Sequence, residues 1–247
     1  MLLKYKTVVM TGGASGIGRA TVLMLAKEGA RVLLCDVNEA GAAETIRLTG
    51  GAKVDYVKLD LADGASVAEC AKTVLARAAD RIDVFVNAAG WDRTQPFIEA
   101  DQAFIDKVLG INLVGPLRLT RALFPAMIAA GGGKIVLVSS DAGRVGSLGE
   151  TPYAAAKGGI IGFTKSLARE GARHKITVNC VCPGPTDTPL FHANPERMRE
   201  ALLRAIPFRR LASPDDIAGA ILYFAGPSSD YVTGQILSVS GGLTMAG

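Results

Sequence analysis

Two histidines and four cysteines leave this 247-residue chain little with which to hold a metal ion. His174 and His192 are too few for a histidine-rich centre. Cys35, Cys70, Cys180 and Cys182 show neither Cys-x-x-Cys spacing nor a disulfide framework; Cys35 and Cys180 fall in apolar runs and read as buried free thiols. No lysine-rich block is present and the net charge of +4 is spread along the chain, which argues against nucleic-acid binding. No uninterrupted apolar stretch approaches the ~18 residues of a membrane span, and Met1–Lys6 is too short and too charged for a signal peptide. There is no Pro/Gly/Ser-rich linker and no internal repeat. The expectation is one domain over residues 1–247, cytoplasmic, metal-free and off the membrane.

Nearly half of the residues are apolar, in short runs that alternate with helical segments. That alternation predicts an α/β fold: a doubly wound, Rossmann-type parallel sheet of about seven strands with helices on both faces. Strands are expected at 7–10, 31–35, 53–59, 82–86, 135–138, 176–182 and 235–239. Helices are expected up to about Glu28, at 66–78, from Gln102 towards Ala129, at 151–172 and from a capped start at Ser213-Pro-Asp-Asp216. Residues 183–208 read as irregular.

The first strand runs into Thr11-Gly-Gly-Ala-Ser-Gly-Ile-Gly18 and then a helix, the context in which a glycine fingerprint is credible. Gly12 permits the turn, Gly16 admits a pyrophosphate close to the backbone, and Gly18 lets helix pack on strand. With Ser15 and Ile17 they form a candidate phosphate cradle at a helix N-terminus. Asp36 ends the second strand. A carboxylate there accepts from the adenosine ribose hydroxyls and repels a 2′-phosphate, which favours NAD over NADP.

Tyr153 and Lys157, in Tyr153-Ala-Ala-Ala-Lys157, share one helix face about a turn apart. A phenol is a poor base near neutrality, and a neighbouring ammonium is expected to lower its pKa. Ser140 closes the strand Lys134-Ile-Val-Leu-Val-Ser-Ser140 and is placed to steady an oxygen that gains charge. Ser139 points to the other side if strand alternation persists.

The glycine turn, Asn87-Ala-Ala-Gly90, Asn112, Ser140, Tyr153, Lys157 and Pro183-Gly184 occur together in the order and spacing of the single-domain short-chain dehydrogenases/reductases, and the chain resembles that family from about residue 5 onwards. Ala88 departs from the second asparagine many members carry. The resemblance implies an NAD-linked oxidoreductase with Asn112, Ser140, Tyr153 and Lys157 as catalytic residues. It implies that Asp60 bonds the adenine amine with Leu61 flanking the ring, although Asp60 also suits a strand-terminating cap. Asn87, Ala89 and Gly90 would shape the wall beside the adenosine ribose, and Lys157 would hold the nicotinamide ribose. Asn112 would position a water leading to Lys157, or serve as a satisfied core polar group. Pro183 and Gly184 would lie against the nicotinamide, with Thr186 and Thr188 on its carboxamide or the phosphates. A homotetramer is implied as well; Ile160–Phe163 and Ile221–Phe224 fit such contacts or face their own sheet.

Asn87-Ala-Ala-Gly-Trp-Asp92, Ser140-Asp-Ala-Gly-Arg-Val-Gly146 and Val181-Cys-Pro-Gly-Pro-Thr-Asp-Thr188 are similar to segments of the 2-hydroxycyclohexanecarboxyl-CoA dehydrogenases of alicyclic and aromatic acid degradation. The expected reaction is therefore NAD-dependent oxidation of a secondary alcohol to a ketone, on a cyclic or short 3-hydroxyacyl-CoA. A 3-oxoacyl reductase and a sugar or polyol dehydrogenase are alternatives on the same scaffold; a non-catalytic NAD-binding subunit is one of another class. Residues 183–212 are the candidate substrate lid. Arg197, Arg199, Arg204, Arg209 and Arg210 in it suit either a phosphate-bearing CoA ester or a solvated helix. Trp91 and Arg144 flank the expected pocket and are the candidate contacts to the acyl end, with Arg144 also able to pair with Asp141 or Glu150.

Overall fold

The computed structural model describes residues 1–79 and 81–245. Seven strands make one sheet: β1 (Thr7–Thr11), β2 (Arg31–Asp36), β3 (Val54–Lys58), β4 (Val84–Asn87), β5 (Gly133–Val138), β6 (Ile176–Pro183) and β7 (Ile236–Val239). All neighbours pair in parallel, in the order β3-β2-β1-β4-β5-β6-β7. The order reverses between β1 and β4, and at such a switch point the crevice beyond the carboxyl ends of the strands receives ligands.

The helices are α1 (Gly16–Lys27), α2 (Glu39–Leu48), α3 (Gly64–Ala78), α4 (Gln102–Leu109), α5 (Gly115–Ala129), α6 (Ala142–Val145), α7 (Thr151–Ala172), α8 (Pro189–His192), α9 (Glu196–Ala205) and α10 (Pro214–Ala225). Strand side chains alternate between the two faces. Val9, Leu33 and Cys35 meet Val74 of α3, Leu119 of α5 and Ile160 of α7 on one side. Val8, Met10 and Leu34 meet Leu25 of α1 and Ile217 and Ile221 of α10 on the other. Each fully buried Leu or Ile contributes roughly 2 kcal/mol, so the two layers hold the sheet rigidly under the site. All four cysteines are buried and free.

Three local features differ from the sequence expectation. The stretch 102–129 is not one regular helix: α4 and α5 are joined by a π turn, Gly110–Val114, that holds the buried Asn112. The stretch 183–208 is not irregular throughout, because it contains α8, capped by the Thr188 hydroxyl, and α9. Helix α2, which no strong apolar period announces, is set by its cap: the Asn38 side chain accepts from the Gly41 N–H. The expected start of α10 forms as a capping box, with the Ser213 hydroxyl accepting the Asp216 N–H and the Asp216 carboxylate accepting the Ser213 N–H. Among the described residues no helix is long and apolar enough to cross a membrane.

Candidate active site

The glycine turn is fixed by close packing. Gly12 has φ +77°, and a Cβ there would lie 2.6 Å from the Ala89 backbone; one at Gly18 would fall 1.8 Å from the Gly12 carbonyl oxygen. Ser15 takes the N-cap position of α1 in extended conformation, and its side chain makes no cap bond. The first-turn N–H groups, aligned with the helix dipole, are thus left to an external acceptor such as a phosphate. Asp36 stands beside them, its carboxylate oxygens accepting from the Ala14 N–H and the Asn38 N–H, each at 2.9 Å. These bonds orient the group at the sheet edge and leave lone pairs for a diol. A dinucleotide fits this cradle on the donors it offers.

Asp60 accepts from the Ala62 N–H at 2.9 Å and so also caps its own turn. Leu61 is 5% exposed, and its side chain packs in the core beside α5. Asn87 ties β4 to β1 by accepting the Thr11 hydroxyl at 2.8 Å, and the Ala89 N–H donates to that same hydroxyl oxygen. Pro183 ends β6 and lines the cavity with Gly184, Thr186 and Thr188, while the Thr186 hydroxyl donates to the Gly184 carbonyl.

Ser140, Tyr153 and Lys157 meet at the floor of a cavity of about 580 Å³. The Ser140 hydroxyl accepts the Ala142 N–H at 3.1 Å and lies close enough to the Tyr153 phenol to favour its ionised form. Ser139 turns inward instead, its hydroxyl donating to the Lys157 carbonyl at 2.7 Å. The Lys157 Nζ lies 5.5 Å from the centre of the Tyr153 ring and donates to the Val138 carbonyl at 3.0 Å. Burial drives the Tyr153 phenol far above its ordinary range, with Glu150 adding to the rise and Ser140 opposing it. Burial also lowers Lys157 to about 8. The expected lowering of the phenol pKa by the ammonium is opposed here by desolvation, since Lys157 is buried, Tyr153 is half-buried, and the amine is turned towards a carbonyl.

Asn112 fastens the neighbouring loop. Its amide donates to the Trp91 carbonyl at 2.7 Å and the Val108 carbonyl at 2.9 Å, and its oxygen accepts the Trp91 N–H at 3.2 Å. Gly90 fits between Asn112 and Lys157, where a Cβ would come within 3.1 Å of the amide oxygen.

Neither side chain chosen for the acyl end lies in the cavity wall. The Trp91 ring turns outward, with Lys107 Nζ 3.9 Å above it and Phe104 edge-on. Arg144 donates to the Ser238 hydroxyl at 2.7 Å. The wall is drawn instead from Asp92, Glu150 and an apolar lid surface made of Leu190, Phe191, Met198 and Leu202. The lid arginines stand outside it: Arg204 pairs with Glu200, Arg210 with Asp216, Arg209 donates to the Arg204 carbonyl, and Arg199 meets His192. Among the described residues no cluster of three or more His, Cys, Asp or Glu side chains is arranged for a metal.

Comparison with known proteins agrees with this geometry. A family model described as Enoyl-(Acyl carrier protein) reductase matches residues 12–244. The chain is 39% identical over 247 residues to 3-oxoacyl-(acyl-carrier-protein) reductase FabG of Thermotoga maritima, covering 99% of this chain and 100% of that protein. It is 36% identical over 253 residues to (3R)-3-hydroxyacyl-CoA dehydrogenase of Canis lupus familiaris, covering 98% of each. It is 37% identical over 251 residues to (2S)-((R)-hydroxy(phenyl)methyl)succinyl-CoA dehydrogenase subunit BbsD of Thauera aromatica, covering 99% of each. A crystal structure of a point variant of actinorhodin polyketide ketoreductase with NADPH superposes with a TM-score of 0.91 at 32% identity, covering 96% of this chain and 97% of that one.

Proposed function

The chain belongs to the short-chain dehydrogenase/reductase family, and from that premise we propose that it oxidises the carbinol of a hydroxyacyl-CoA to a ketone with NAD. A ring substrate of the 2-hydroxycyclohexanecarboxyl-CoA kind, met in alicyclic and aromatic acid degradation, is the preferred reading. The observation that carries it is the Ser140–Tyr153–Lys157 floor beneath an apolar lid, inside one cavity of about 580 Å³. A compact apolar acyl group fits between Leu190, Phe191, Met198 and Leu202 while its oxygen reaches Ser140 and Tyr153. The reading places the protein in the cytoplasm as a homotetramer.

Ser140 donates to the reacting oxygen, and Tyr153 exchanges a proton with it over a path kept dry by the lid. Gly12, Ser15, Gly16, Ile17, Gly18 and Asp36 would hold the dinucleotide, and Thr186 and Thr188 would set which ring face is presented. Bound against Pro183 and Gly184, NAD would take up the hydride and bring a positive charge next to Tyr153. Asp36 supports NAD, because a 2′-phosphate would meet a carboxylate already fixed by two backbone N–H groups. Reduction of a 3-oxoacyl thioester is a second reading, favoured by the 39% identity to the 3-oxoacyl-(acyl-carrier-protein) reductase of Thermotoga maritima.

The test is NADH formation with 2-hydroxycyclohexanecarboxyl-CoA, linear 3-hydroxyacyl-CoAs and polyols. Turnover of the thioesters is expected, at least about tenfold faster with NAD than with NADP. Tyr153→Phe should lose about 10²–10⁴-fold in rate and still bind NADH. A preference for polyols, or full activity in Tyr153→Phe, would overturn the reading.

A further inference from the structure

Asp92 enters the cavity wall two residues beyond Gly90, next to a Trp91 backbone pinned by two Asn112 bonds. Both of its carboxylate oxygens are buried and make no hydrogen bond with good geometry among the described residues. Glu150 enters the same wall from the other side, three residues before Tyr153. The nearby cations do not balance this pair. Arg93 is exposed, with its guanidinium 5.2 Å above the Phe104 ring and bonded to Gln95. Lys157 is turned to the Val138 carbonyl and belongs to the catalytic floor. Asp141, also in the wall, accepts from the Ser238 hydroxyl.

We infer that Asp92, with Glu150, is a specificity determinant that rejects substrates bearing an anionic carboxylate next to the reacting carbinol, so that neutral acyl esters enter and free hydroxy acids do not. The inference rests on the hydroxyacyl reading and deepens it. An unpartnered buried carboxylate has lost its water without replacement, and a second anion beside it raises that cost. The field is already felt within the protein: burial pushes Asp92 up to about 6, opposed by the Arg93 backbone N–H and the Lys157 ammonium, with Glu150 adding to the rise. A hydroxy acid would bring one more carboxylate into a wall that already holds Asp92, Asp141 and Glu150, whereas a thioester brings a dipole. Rejection by unpaired or repelling charge is a common route to specificity, and it needs no attractive contact to the favoured ligand. The wall thus supplies a reason for activation as a thioester that does not depend on lid arginines gripping a nucleotide.

The experiment compares kcat/KM for a 2-hydroxycyclohexanecarboxylate free acid and its methyl ester, which carries no nucleotide, at pH 7.5 and saturating NAD. The wild-type enzyme should prefer the ester at least about tenfold. In Asp92→Asn and in Glu150→Gln the ratio of acid to ester activity should rise several-fold, whatever happens to either rate alone. A merely structural role would lower both rates and leave the ratio fixed, and that result overturns the inference. So does a wild-type enzyme that takes acid and ester equally, a measurement that requires no variant. Activity on the CoA thioester with no acid–ester discrimination sinks this inference alone, whereas no activity on any hydroxyacyl compound sinks the proposed function with it.

Discussion

Lys157 carries the clearest energetic signature of a residue kept for chemistry. It is 2% exposed, and burial lowers it from an ordinary 10.5 to about 8. Between those values the unfolded chain binds more proton than the folded one, so stability rises with pH from about 8 to about 10.5. Below pH 8 the whole penalty is present, roughly 3 kcal/mol, offset in part by the bond to Val138. Lys157→Met should therefore stabilise the ligand-free protein by about 1–2 kcal/mol at pH 7 while abolishing turnover. Thermal unfolding followed from pH 7 to 10.5 checks this; the advantage should fade across that range, and a constant difference would contradict it. Tyr153, Lys157 and Ser140 were legible as a set because a four-residue helical spacing and a strand end determine where such side chains come together. Trp91 and Arg144 were not, because the direction of a loop side chain depends on partners that sequence spacing does not reveal: Phe104 and Lys107 for one, Ser238 for the other. Asp92 stood in a quoted motif and passed unnoticed, since nothing local distinguishes a buried carboxylate from a solvated one.

At the scale of elements, the lid shows how one amphipathic helix separates two hypotheses. Along α9, Met198 and Leu202 are one turn apart and line the cavity, while Arg197, Glu200 and Arg204 are exposed. The charged residues of this segment are easy to see in the sequence and invite a phosphate-binding role. Yet Arg204 and Glu200 form an exposed i,i+4 pair, and Arg210 is bound to Asp216 in the α10 capping box. Pairs of this kind contribute a few tenths of a kcal/mol. The apolar side of the helix is expected to matter more. Met198→Ala with Leu202→Ala should raise KM for a ring acyl-CoA about 5–30-fold, on loss of roughly 1–2 kcal/mol of apolar contact. Arg204→Ala should change it less than twofold. Steady-state kinetics on both variants decides between the two sides of α9; a large effect confined to Arg204→Ala would restore the cationic rim. The π turn was hidden for a different reason: 102–129 keeps helical periodicity, and one extra residue at Asn112 leaves no mark on a pattern of that length.

The molecule as a whole ends its sheet on an open edge. Alternating apolar runs announced a parallel sheet, but strand order is fixed by which crossovers pack, and that depends on the whole chain. β7 pairs only with β6, leaving its other side without a strand among the described residues. An edge of this kind is a liability unless something covers it. Leu237, on the same side of the sheet as Val239 and α10, is 40% exposed, and Tyr223 of α10 is 43% exposed. Ile160, Ile221 and Phe224 face the protein's own core, so of the two apolar stretches considered for subunit contacts only the outer residues remain available, Ile161 and Phe163 packing partly against it. The proposed homotetramer would therefore use the β7 edge. Light scattering on the purified chain should give four times 25.6 kDa. Leu237→Glu would put a charge on that edge, where burying it against a partner would cost several kcal/mol, and should yield particles of half the mass or less. The isolated particle should keep its fold by circular dichroism, because Leu237 contributes little to the core. A tetramer untouched by Leu237→Glu would move the interface off β7 and on to the outer surfaces of α5 and α7.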